Sequence, residues 1–148
     1  MRLTIATPLA IVIEASDVAH LRAEDDTGAF GILPGHADFL TALSVSVASW
    51  RDDRGAEHYV AVRGGMLEVR DGNTIAIATP EAVAADDLHR LESDVLAKFR
   101  RQLIEEQAAR TDAQRLYLAA IRQIVRFLRD ERSPAAAPMV APADGFAP

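Results

Sequence analysis

Cysteine is absent from the 148 residues, which excludes disulfides, thiolate zinc sites and cysteine nucleophiles. Lysine is nearly absent. Lys98 is the only one, and no G-x-x-x-x-G-K-[ST] motif surrounds it, so a P-loop is excluded. No apolar run approaches the ~20 residues that span a bilayer. The start, Met1-Arg2-Leu3-Thr4-Ile5, lacks the basic head and long apolar stretch of a secretory leader, so none is expected. A basic surplus is missing too. The net charge of −6 argues against a general nucleic-acid binder, because phosphate binding needs excess cations. The remaining composition is that of a soluble globular chain.

Two further absences are local. From Glu81 to Ser133 there is neither glycine nor proline, the two strongest punctuators of local structure. Seven of the eight glycines lie at or before Gly72. Charge divides at the same place. Residues 1–84 carry 12 acidic and 6 basic side chains, and residues 85–132 carry 9 acidic and 10 basic. Residues 133–148 add only Asp144. The chain therefore reads as two differently built regions, 1–84 and 85–132, and a tail, 133–148.

The first region reads as short strands. Leu3 and Ile5, then Ile11 and Ile13, alternate at period two. Val45 to Trp50, Tyr59 to Arg63, Met66 to Arg70 and Thr74 to Thr79 repeat the pattern. Turn signals separate them: Asp52-Asp53-Arg54-Gly55, Gly64-Gly65 and Asp71-Gly72-Asn73. Strands spaced near ten residues predict an antiparallel sandwich or barrel. Asp71-Gly72 marks a hairpin, because glycine takes the positive φ that a tight turn needs. A core of about 84 residues is small, and such a domain often leans on a partner.

The second region has helical period. Leu88, Leu91, Val95, Phe99 and Leu103 recur at three- and four-residue steps, with Asp86 or Asp87 as the cap. Thr111-Asp112-Ala113-Gln114 fits a capping box, so a second helix is expected there. Its apolar face would be Tyr117, Ala120, Ile121, Ile124 and Leu128. The expected fold class is α+β, an N-terminal antiparallel β-sandwich followed by a C-terminal two-helix hairpin. The rival is one unbroken helix of about 45 residues, near 68 Å, paired as a dimer. The Pro/Ala-rich tail cannot bury enough apolar surface to offset its ordering entropy and is expected to be disordered.

Signals for chemistry are sparse. His20, His36, His58 and His89 lack metal-ligand spacing, so no metal site is expected. Asp25-Asp26, Asp52-Asp53 and Asp86-Asp87 sit at turns or a helix start, where turn formation and capping account for them. No Gly-x-Ser-x-Gly elbow occurs. Gly64-Gly65 fits a turn or bulge better than a phosphate cradle. No catalytic residue and no cofactor is assigned. One stretch stands out, Thr27 to Leu40, with three glycines, Pro34 and His36 among large apolar residues. Phe30, Ile32 and Leu33 are expected to pack inward, and Pro34-Gly35-His36 to form an ordered surface loop of the kind that carries binding.

Gly28-Ala29-Phe30-Gly31-Ile32-Leu33-Pro34-Gly35-His36-Ala37, followed by Leu40-Thr41-Ala42-Leu43, resembles the signature of the epsilon subunit of F-type rotary ATP synthases. Val62-Arg63-Gly64-Gly65-Met66-Leu67-Glu68-Val69 and Asn73 to Ala78 agree with it, at matching spacing. The resemblance implies a non-catalytic subunit of the central rotor stalk. Its partners would be the gamma subunit, the c-ring and the alpha/beta catalytic head, and its place the cytoplasmic face of the bacterial inner membrane, held peripherally through the complex. Rotor contact is carried onto Ala29, Gly31, Pro34, Gly35, His36 and Asp38, although Ala29 departs from the polar residue usual in the family. The family's helical pair can also restrain ATP hydrolysis. In this chain Arg115, Arg122, Arg126 and Arg129 span only about 60° of helix at 100° per residue, opposite Tyr117, Ile121, Ile124 and Leu128. Such a stripe is either a solvated cationic face or a regulatory contact with an acidic segment of a catalytic subunit. The family's ATP-binding pattern begins well at Asp87 and Arg90 but fails at Leu91, Asp94 and Ala97. The Arg-rich second helix is similar to the alternate, sodium-type branch, although ion choice resides in the c-ring. The alternative is a stand-alone binding module dimerised through its helices.

Overall fold

The computed structural model describes residues 1–131. The segment expected to be a disordered tail, 133–148, lies outside the described residues. Eight strands come first: β1 (Arg2–Ala6), β2 (Ile11–Ala15), β3 (Val18–Asp25), β4 (Gly28–Ile32), β5 (Phe39–Asp52), β6 (Glu57–Arg70), β7 (Thr74–Ala78) and β8 (Ala82–Ala85). They pair in the order β2-β1-β7-β6-β5-β3-β4, with β8 also on β6. Every pairing is antiparallel except β1 with β7. The alternation read in the sequence places the core. Leu3 and Ile5 of β1, Leu67 and Val69 of β6 and Ile75 and Ile77 of β7 are buried together with Leu21 and Ile32. The residues that alternate with them face outward.

Gly64-Gly65 does not end a strand. β6 runs through it, and the sequence's two short strands are one of 14 residues. The glycines mark a change of face instead. Leu67 and Val69 point into the core on one side of the pair, Val60 and Val62 on the other. β5 changes phase opposite, from Leu43 to Ala48 and Trp50. Gly65 must be glycine. Its φ is +115°, and a Cβ there would fall on the Ala78 carbonyl oxygen of the adjacent strand. Beyond this bend both faces of β5 and β6 are used. Even-numbered residues line the sandwich core, while Val45, Val47, Tyr59 and Ala61 meet the start of the helical region.

Asp87 caps that region as its sequence suggested, accepting from the backbone N–H groups of His89 (3.0 Å) and Arg90 (3.4 Å). A short helix α1 (Leu88–Arg90) passes through a π-helical turn, Leu91–Val95, into α2 (Leu96–Glu131). The Leu96 N–H bonds to the Leu91 carbonyl, five residues back. This extra residue brings Leu96 in line with Leu91 and Phe99, and all three are buried beside Ala61. Val95, expected on that face, is only half-buried.

The expected hairpin is absent. One helix of 36 residues runs through Thr111. Thr111 does not cap. Its hydroxyl donates to the Gln107 carbonyl one turn earlier (3.0 Å), the bond a threonine makes inside a helix. With no glycine or proline nearby, nothing in the local sequence ends the helix there. The chain divides into two compact units, Met1–Glu105 and a second beginning at Glu106. In the second, every residue from Glu106 to Arg129 is exposed.

Candidate functional site

The stretch singled out in the sequence folds as strand β4 and the loop that follows it. Pro34, Gly35, His36 and Asp38 lie together in this loop, and Ala29 and Gly31 are exposed on β4. The His36 N–H closes a turn onto the Leu33 carbonyl (3.1 Å). The His36 ring packs edge-on against Phe39 at 5.7 Å, and Phe39 against Phe30 at 5.6 Å. This aromatic chain roots the loop in the core.

The β6–β7 turn braces the loop from the side. Asp71 (φ +54°) and Gly72 (φ +68°) take the positive φ values of a type I′ hairpin, as Asp71-Gly72 predicted. Gly35 N–H donates to the Gly72 carbonyl (2.9 Å), and the Asp71 N–H donates to Asp38 Oδ1 (2.9 Å). A Cβ at Gly72 would stand 3.0 Å from the Gly35 Cα, so the two turns touch backbone to backbone. Two apolar side chains sit beside this braced pair in water. Leu33 is 59% exposed and Leu40 62%. Leu33 was expected inside. Period two along β4 sends Phe30 and Ile32 inward and Leu33 outward, a signal present in the sequence and overridden by hydrophobicity alone. The partners Asp71 and Gly72, 33 and more residues away, carry no local signal for this contact.

Gly31 has a separate cause. A Cβ there would lie 2.8 Å from His20 Nε2, so the glycine leaves room for the imidazole across the β3–β4 pair. His58 stacks on Trp50 at 5.1 Å and lies 3.1 Å from Asp52. The acidic pairs serve turns. Asp25 accepts from the Thr27 hydroxyl (2.6 Å), the Thr41 hydroxyl (2.8 Å) and the Thr27 N–H, which hold its carboxyl below the usual range. Asp52 is lowered by the His58 ring and by the N–H groups of Ala56 and Arg54. Among the described residues, no group of three His, Asp or Glu side chains could hold a metal ion. A groove of about 510 Å³ beside Leu88 and Leu96 is lined by charges of both signs, Arg22 and Arg100 with Glu24 and Glu92.

Arg115, Arg122, Arg126 and Arg129 are exposed on α2 in the second unit. Arg115 Nη1 stands 3.9 Å from Asp112 Oδ1, one turn earlier. Among the described residues, no helix is long and apolar enough to cross a membrane.

Residues 1–85, the sandwich with its braced, glycine-built loop, match the family described as ATP synthase, Delta/Epsilon chain, beta-sandwich domain. The "ATP synthase epsilon chain 2" of Paraburkholderia xenovorans is 41% identical over 135 residues, covering 91% of this chain and 97% of the relative. That of Cereibacter sphaeroides is 39% identical over 136 residues, covering 92% of each. The chain belongs to the ATP synthase epsilon chain family. A chain in the cryo-EM structure of Euglena gracilis mitochondrial ATP synthase, OSCP/F1/c-ring, superposes with a TM-score of 0.55 at 24% identity. The match covers 72% of this chain and 62% of that one. One from the central stalk/c-ring of Tetrahymena thermophila mitochondrial ATP synthase gives 0.50 at 16% identity, covering 71% and 91%. At such identities these two likenesses bear on the fold alone.

Proposed function

We propose that this chain is a non-catalytic central-stalk subunit that joins the gamma subunit and the c-ring of an F-type ATP synthase to its alpha/beta catalytic head. It transmits torque through packed interfaces and makes or breaks no bond itself. Its place is the cytoplasmic face of a bacterial inner membrane, where it is held only through the complex. The observation that carries the reading is the braced loop. The Gly35–Gly72 and Asp38–Asp71 hydrogen bonds hold Pro34 and His36 in a fixed shape, with Leu33 and Leu40 in water beside them. An apolar edge already ordered before contact binds at lower entropic cost than a mobile one. Ala29, Gly31, Pro34, Gly35, His36 and Asp38 are the rotor-facing residues on this reading.

The stripe of Arg115, Arg122, Arg126 and Arg129 is the regulatory contact, meeting an acidic segment of a catalytic subunit and restraining hydrolysis. The test is co-purification. The tagged chain brings down a gamma subunit and catalytic subunits from solubilised membranes. Recovery only as a free homodimer overturns the reading and favours the stand-alone module.

A further inference from the structure

The stretch from Ala113 to Arg129 contains no acidic residue and four arginines. At 100° per residue, Leu116, Tyr117, Leu118, Ile121, Ile124, Val125, Phe127 and Leu128 occupy an arc of about 200°, and the arginines a stripe of about 60° beside it. All are exposed on α2. Leu116 is 72% exposed, Tyr117 68% and Phe127 64%. This is a large apolar face with a cationic border, built on a regular helix.

The pattern discriminates between occupants. A second copy would need a narrow seam flanked by charges of both signs. Here the flanks of Tyr117, Ile121, Ile124 and Leu128 are themselves apolar, and a paired copy would offer these arginines no acid within the stretch. A wide apolar arc with arginines along its edge suits a flat medium that is apolar below and anionic above. Arginine stems can lie along the apolar layer while the guanidinium reaches the headgroups. We infer that residues 113–129 bind the surface of anionic lipid bilayers when the chain is not assembled, with the apolar arc sunk to the acyl boundary and Arg122, Arg126 and Arg129 on lipid phosphates. The helix lies on the membrane and does not cross it. This attachment concentrates the free chain at the surface where its partners stand, before the same arginines are covered by protein.

The test uses the purified full chain and vesicles of phosphatidylcholine carrying roughly one-third phosphatidylglycerol, the anionic fraction that attracts basic segments. The chain co-sediments with these vesicles and not with pure phosphatidylcholine, and added salt releases it. Arg122→Ala with Arg126→Ala weakens binding about thirtyfold, from about 1 kcal/mol per arginine near such a surface. Ile121→Ser with Ile124→Ser weakens it at least about tenfold. These side chains are exposed, and an unchanged helical circular dichroism spectrum confirms that the variants fold. The Tyr117→Trp variant reports the contact directly, its emission shifting to the blue on the anionic vesicles, with the unsubstituted chain and its buried Trp50 as the blank. The inference is overturned by any of three results: no sedimentation with anionic vesicles, which leaves a protein as the occupant; equal binding to neutral ones; or an unmoved emission from the Tyr117→Trp variant despite binding. A stable dimer with Tyr117 covered overturns it too, in favour of the second copy. Failure here leaves the co-purification result, and with it the central-stalk reading, untouched.

Discussion

Alanine at Gly72 and alanine at Gly55 separate backbone strain from loop bracing. Both glycines have positive φ, +68° and +86°. An alanine there costs about 1 kcal/mol, and Gly55, farther from the left-handed minimum, costs at least as much. Their surroundings differ. A Cβ at Gly55 meets nothing within 4 Å, whereas one at Gly72 stands 3.0 Å from the Gly35 Cα and 3.3 Å from its carbonyl carbon. Backbone cannot rotate out of the way as a side chain can. The loop must shift, stretching the Gly35–Gly72 and Asp38–Asp71 hydrogen bonds. Each such bond contributes about 1 kcal/mol net, so Gly72→Ala is expected to lose about 1–2 kcal/mol beyond Gly55→Ala. Thermal unfolding reads this as an extra fall in Tm of at least about 4 °C for a domain of this size. The second readout is function. Gly72→Ala displaces Pro34 and His36 and lowers recovery of the gamma subunit in co-purification, while Gly55→Ala recovers it at the wild-type level. Equal Tm losses refute the bracing contact. Equal gamma recovery at unequal Tm refutes its part in rotor binding.

Arg122→Glu with Arg126→Glu raises ATP hydrolysis by the assembled enzyme if the stripe restrains it, and unchanged hydrolysis in intact complexes counts against that contact. Phe99→Ala costs about 3–5 kcal/mol in urea unfolding, because Phe99 is fully buried with Leu91 and Leu96 beside Ala61; a loss below about 1 kcal/mol would place the helix start off the sheet. Asp25 has a lowered carboxyl pKa in the fold, so its stabilisation is present above the unfolded carboxyl range, about pH 4, and is lost as pH falls through the lower folded value. The Tm gap between wild type and Asp25→Asn is expected to close on acidification below that range, and a gap independent of pH removes the charge-based account. Thr111→Ala leaves helicity at roughly 222 nm unchanged or higher, since alanine exceeds threonine in helix propensity by roughly half a kcal/mol; a drop would mean that Thr111 caps a helix after all.

Much of the sandwich was legible because its signals are local. The alternation of Thr74 to Ala78 and of Leu3 and Ile5, and the Asp71-Gly72 turn, each need only a few neighbouring residues to be read. Asp87 was legible as a cap for the same reason. The parallel pairing of β1 with β7 was not, since it joins segments about seventy residues apart without a shared pattern. Gly64-Gly65 reads locally as a turn or bulge between two strands, because glycine pairs usually punctuate. Its actual purpose, to change which face of β6 is inward, depends on the Ala78 carbonyl of another strand. The hairpin was expected from Thr111 and Gln114, a four-residue motif. A threonine in that motif has two satisfactory bonds, forward to an amide as a cap or back to the Gln107 carbonyl within a helix. Only the absence of a helix breaker decides between them.

The candidate site divides along the same line. Pro34, Gly35 and His36 could be picked out because they are unusual residues in an apolar stretch. Leu33 could not be placed by type, only by phase, and phase assigns it to water beside Leu40. The residues that give the loop its fixed shape, Asp71 and Gly72, belong to a turn whose own sequence already explained its glycine. A residue with a sufficient local reason hides any second reason it has. Gly72 is required both by its φ and by the 3.0 Å approach of Gly35, and only the second requirement ties the hairpin to binding. Gly31 shows the converse. It lies in the stretch that resembles a rotor contact, yet a Cβ there would already press on the His20 imidazole tip, a crowding within the fold, so the glycine alone is not a sign of a partner. Beside the braced loop, Leu33 and Leu40 are large apolar side chains that the fold leaves in water. Their exposure, rather than the glycines around them, is what the fold leaves for a partner to explain.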